Sequence, residues 1–160
     1  MKIFLSFIVV MFFVACSYRP EIEKSQSATF VFKTKKVKLS DAGFIRSNNN
    51  YINVQIFTAG NLVLDLQINE DICLNGPCYK REYFNTLFFG RLHYPNFLDD
   101  LLHFQPIYEK KNLKITVDGF SQTLHVNGDE LSYMVDKSGM VFRDRAKKIL
   151  IKIRNIGETK

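Results

Sequence analysis

The chain has no tryptophan and only three cysteines among its 160 residues. It also lacks the short motifs of common catalytic sites: Gly-x-Ser-x-Gly, His-Glu-x-x-His, a Walker loop and Gly-x-Gly-x-x-Gly are all missing. The carboxylate pair Asp99-Asp100 falls in a helical pattern where a solvated face is the ordinary explanation, and Asp129-Glu130 follows an Asn-Gly turn. His93, His103 and His125 stand at no zinc-ligand spacing from Cys73 or Cys78. Neither an enzyme nor a cofactor is therefore expected. Strong charge is lacking too, because the formal net charge of +6 is modest and scattered, which argues against nucleic acid as a partner. The densest basic cluster, Lys33, Lys35, Lys36 and Lys38, reads as a solvated edge strand. Repeats and low-complexity tracts are absent, and nothing in the sequence fixes an oligomeric state.

The longest apolar run, Ile3 to Val14, is interrupted only by Ser6 and follows Met1-Lys2. As a helix it would be about 18 Å long, against about 30 Å of bilayer hydrocarbon, so it suits a signal-peptide core better than a permanent span. The run ends in Phe13-Val14-Ala15-Cys16, which resembles the lipobox of bacterial lipoproteins. That resemblance implies cleavage after residue 15, a diacylglyceryl thioether on Cys16 and acylation of its amine. Several acyl chains, each burying methylenes at about 0.8 kcal/mol, would hold the chain on a membrane without spanning it. Ser17 in the next position, in place of an aspartate, points to the outer membrane and a periplasm-facing protein.

Removing residues 1–15 takes away Lys2 and four phenylalanines, leaving 11 of the 15 phenylalanines and all 7 tyrosines. Residues 16–29 read as the lipidated cysteine and a flexible tether with a reach of about 20 Å. Residues 30–156 read as a single β-rich domain, and 157–160 as a tail. Tyr51 to Phe57 and Leu62 to Ile68 alternate around Thr58-Ala59-Gly60-Asn61, with Leu62, Leu64, Leu66 and Ile68 on one strand face, which predicts a hairpin. Leu113–Val117, Phe120–Val126, Glu130–Val135, Met140–Arg143 and Lys148–Ile153 predict a meander, with Asp118-Gly119 and Asn127-Gly128 as type I′ turns that need positive φ. Between these halves, Arg81 to Phe89 and Asn96 to Phe104 have helical texture, with Asn96 able to cap the second segment. The expected fold is α+β and mainly antiparallel, an incomplete barrel or strongly curved sheet with one or two helices between its β halves.

Cys73 and Cys78 flank the turn-forming Leu74-Asn75-Gly76-Pro77, and in an oxidising compartment they are expected to form a disulfide. Their spacing is not that of a redox-active Cys-x-x-Cys pair.

The order of lipobox, tether, hairpin, helices and meander resembles the LolA/LolB lipoprotein-carrier family. The likeness rests on Tyr51 to Leu66 as the hairpin before the helices and on Phe84 to Phe104 as the helical region. It implies an incomplete antiparallel barrel whose concave apolar face binds acyl chains or lipoprotein cargo beneath a helical lid. The candidate ligand residues are then Phe57, Leu62, Leu64, Leu66, Phe88, Phe89, Leu101 and Leu102. Where that family has a protruding leucine at the hairpin tip, this chain has Phe57-Thr58-Ala59-Gly60, so Phe57 or Leu62 would take its place. The competing expectation is a non-catalytic module for envelope assembly or adhesion, an immunoglobulin-like sandwich whose aromatics fill a closed core.

Acylation needs the thiol of Cys16, so Cys16→Ser is expected to abolish incorporation of labelled palmitate and partitioning into detergent while leaving the domain folded. Palmitate retained by the serine variant would instead make Ile3 to Val14 a membrane helix.

Overall fold

The computed structural model describes residues 24–156. Cys16, the expected signal peptide, the first part of the tether and the tail lie outside those residues. In chain order the elements are β1 (Lys24–Lys33), β2 (Lys38–Ser47), β3 (Ile52–Thr58), β4 (Asn61–Ile68), β5 (Ile72–Leu74), β6 (Cys78–Tyr79), α1 (Arg81–Phe89) and α2 (Phe97–Leu102). A short 3-10 turn at Tyr108–Lys110 then leads into β7 (Leu113–Thr116), β8 (Gly119–Val126), β9 (Asp129–Asp136), β10 (Gly139–Asp144) and β11 (Ile149–Asn155).

All eleven strands join one curved, unclosed sheet in the order β6-β5-β4-β3-β2-β1-β11-β10-β9-β8-β7. Every pairing in it is antiparallel. The expected α+β fold with helices between two β halves is therefore the observed one, and a two-sheet sandwich is not. The halves meet where β1 pairs with β11, with Phe30 opposite Ile153 and Phe32 opposite Ile151. That pairing makes β1 a central strand. Its start at Lys24 takes six residues that read as tether into the sheet. It also places Lys33, Lys35, Lys36 and Lys38 at the β1–β2 hairpin tip and not on an edge, where they are solvated as expected. The true edges are β6 and β7, two and four residues long, and short edges limit pairing with other chains.

Turn chemistry explains most of the register. Asn127 and Gly128 both have positive φ (52° and 84°), as a type I′ turn requires. Asp118-Gly119 behaves differently, because Thr116 pairs with Gly119 and the turn residues are Val117 and Asp118, neither with positive φ. Gly119 is a strand residue, and a Cβ on it would stand 2.1 Å from the Val135 carbonyl oxygen. Close backbone approach, not turn conformation, calls for glycine there. Cys73 and Cys78 lie directly opposite each other on β5 and β6 and form the expected disulfide.

Candidate functional site

Alternation along each strand divides the sheet into an apolar inner face and a mixed outer face. Phe30, Phe32, Val54, Ile56, Leu64, Leu66, Tyr133, Phe142, Ile151 and Ile153 are all buried on the inner side. The segment from α1 to the 3-10 turn closes over them. On α1, Phe84, Phe88 and Phe89 are buried and recur at helical spacing, and Gly90 ends the helix with φ 73° and donates its N–H to the Thr86 carbonyl. On α2 the buried side chains are Phe97, Leu98, Leu101 and Leu102. Asn96 holds the position before this helix without capping it through its side chain, because its Oδ1 accepts from Arg81 at 3.2 Å.

Six of the eight candidate ligand residues thus meet in one interior. Leu64 and Leu66 come from the sheet, and Phe88, Phe89, Leu101 and Leu102 come from its helical cover. The edge-to-face rings of Phe32 and Phe88, 6.2 Å apart, and of Phe89 and Phe142, 6.0 Å apart, join cover to sheet. Phe57 and Leu62 are not in this interior. The β3–β4 register shifts between Ile56 and Phe57, so Leu62 pairs with Phe57, is 49 % exposed and leaves the face shared by Leu64 and Leu66. Phe57 packs instead against Phe44 on β2, rings 6.1 Å apart.

Two polar clamps, at Arg91 and Gln122, fix the cover to the strands after it, and a buried histidine ties the cover to itself. Arg91, just past α1, is buried and places Nε 2.7 Å from Asp144 and Nη2 2.7 Å from Asp129, while Nη1 donates to the Val126 carbonyl at 2.8 Å. Buried Gln122 on β8 accepts from the Ile107 N–H at 2.8 Å and donates to the Ile107 and Lys111 carbonyls at 2.9 and 2.8 Å. His93, also buried, stacks on Phe97 with ring centroids 3.8 Å apart and sets Nδ1 2.7 Å from the Tyr108 hydroxyl. Burial, reinforced by the Arg91 charge, lowers the His93 pKa to about 3.

Asp99 and Asp100 do not form a solvated face. Asp99 lies 2.6 Å from Arg81 Nη1, and Asp100 accepts from the Tyr94 hydroxyl at 2.6 Å. Burial raises the pKa of both Tyr94 and Asp100. Asp129 likewise belongs to the Arg91 clamp. Nothing in the local sequence marked Arg91, Gln122 or Asp144, because each is a lone polar residue whose partners come from other segments.

Two surface depressions, of about 460 and 1230 Å³, are lined by none of the six interior candidates. Among the described residues no group of His, Cys, Asp and Glu converges to hold a metal, and no helix is long and apolar enough to cross a membrane.

His93 makes stability depend on pH in a defined direction. Its folded pKa lies below the ordinary 6.5, so between those values the unfolded chain binds a proton that the folded chain excludes. Stability is then complete above about pH 6.5 and falls as the pH drops, by about 2 kcal/mol from this residue on reaching pH 5. Denaturant midpoints measured against pH should show His93→Phe losing that part of the slope, while an unchanged slope would mean that His93 is protonated in the fold.

No family model matches the chain, and no curated protein matches it.

Proposed function

We propose that this chain is a membrane-anchored, periplasm-facing carrier or receptor for acylated ligands, lipid or lipoprotein cargo, held to the membrane by lipid on Cys16. The observation that carries this reading is one continuous curved sheet whose inner face is apolar from β4 to β9 and is covered only by two short helices and their loops. A sandwich or closed barrel would bury the same residues between strands and leave no separable cover. Here the cover contributes apolar side chains and a few clamps but no ladder bonds to the sheet interior.

The ligand would enter by displacing that cover. Each methylene buried contributes about 0.8 kcal/mol, so a long acyl chain supplies on the order of 10 kcal/mol towards replacing the contacts that Phe88, Phe89, Leu101 and Leu102 make in the closed state. Apolar contacts are non-directional, and an acyl chain can substitute for a leucine or phenylalanine against the same strands. Arg91 and Gln122 would keep the far end of the cover on β8 to β10 while α1 and α2 move.

The Cys16→Ser chain, free of its own lipid, is the material for the test. Native mass spectrometry with micromolar palmitate or a diacylglyceryl-cysteine peptide should show a one-to-one adduct. Absence of an adduct with either probe defeats the carrier reading.

A further inference from the structure

The outer face of β8 to β11 carries a second feature, independent of the apolar interior. Arg143, Arg145 and Lys152 line a depression of about 460 Å³ together with Ser121, Thr123 and Ser132. The register explains why they meet. Ser132 lies opposite both Arg143 and Thr123, and Val141 lies opposite both Lys152 and Met134, which in turn faces Ser121. Directly opposed residues have Cβ atoms about 4.5–5.5 Å apart, so Arg143, Lys152 and the three hydroxyls fall within one small area of sheet, and Arg145, just past β10, lines the same depression.

Their bonding within the fold is what singles them out. Among the described residues none of the three cations enters an ion pair, and none of the three hydroxyls makes a side-chain hydrogen bond. Arg154, at the border of the same depression, is by contrast held by Asp136 at 2.8 Å. The nearest carboxylate along β9 on this face, Glu130, pairs with none of the cations. The charge extends sideways as well, because Lys33 and Lys38 stand directly opposite each other on β1 and β2, an arrangement that costs stability unless an anion relieves it.

We propose that this depression binds a phosphate group, with Arg143, Arg145 and Lys152 supplying charge and Ser121, Thr123 and Ser132 supplying neutral donors. Guanidinium forks and hydroxyls together match tetrahedral oxygens, whereas a carboxylate offers only two acceptor atoms. The site is on the opposite face from the apolar interior and does not depend on the carrier reading.

The test uses the full-length chain in neutral detergent, titrated with glycerol 1-phosphate or with micelles doped with phosphatidylglycerol, and followed by amide chemical shifts. Saturable shifts in β8 to β11 are expected. Shifts with the doped micelles alone assign the phosphate to a lipid headgroup, and shifts with glycerol 1-phosphate assign it to soluble esters as well. Replacing Arg143, Arg145 and Lys152 together by Gln should weaken binding at least about ten-fold, from the loss of charge-assisted bonds. The same charge removed at exposed Lys24, Lys110 and Lys111 should change it by no more than about two-fold. The proposal is overturned if neither probe shifts these strands, or if both triple variants weaken binding equally.

Discussion

An open sheet of eleven strands with one apolar face must keep that face from water, and the rest of the fold follows from how it does so. The sheet curves but does not close, leaving β6 and β7 as separate edges, so the strands alone cannot bury Phe30, Phe32, Phe142 and Ile151. The chain interrupts its β segments after β6 and lays residues 81–111 across the hollow. This cover is short of intrinsic stability, because helices of nine and six residues are too short to persist in isolation. They exist because Phe84, Phe88, Phe89, Phe97, Leu101 and Leu102 find the sheet. Sheet and cover each supply what the other lacks.

Polar groups settle where the cover lies, while apolar area settles that it lies there at all. The Arg91 guanidinium is 4 % exposed and Asp144 1 % exposed, so their ion pair offsets two desolvation penalties more than it adds net stability. Its value is positional. Leaving either charge alone in the interior would cost about 3–5 kcal/mol, so arrangements of the cover that separate the pair are excluded. Gln122 acts in the same sense on the segment before β7, where Tyr108, Glu109 and Lys110 all adopt positive φ to turn the chain back to the sheet. These clamps lie towards β8, β9 and β10. Near β5, the cover is held by Arg81, whose guanidinium reaches Asp99 and the Asn69 and Glu70 carbonyls at a more exposed position.

What was legible in the sequence was local. Alternation at Leu64, Leu66 and Ile68, the Asn127-Gly128 turn, the helical spacing of Phe97, Leu98, Leu101 and Leu102 and the proximity of Cys73 to Cys78 depend on neighbours a few residues away, and each has its counterpart in the structure. The face that Leu62 takes is hidden from the sequence because a one-residue register shift at Phe57 exchanges the faces of a strand without altering composition. The lysines near residue 35 look like an edge in sequence because the partner that makes β1 central, β11, lies at the other end of the chain. Arg91 and Asp144, or Gln122 and Ile107, meet only after the whole sheet has formed. The interior of the candidate site was therefore visible as hydrophobic pattern, and its polar clamps were not.

The decisive property is whether the cover opens as a unit while the sheet stays intact. Native-state hydrogen exchange resolves this directly, because amides released by local opening exchange with a lower free energy than amides released only by global unfolding. Amides of α1 and α2 should exchange together, at an opening free energy clearly below that of β1, β10 and β11. If the helical amides instead share the free energy of those central strands, cover and sheet are one cooperative core. No route for an acyl chain to the inner face then exists.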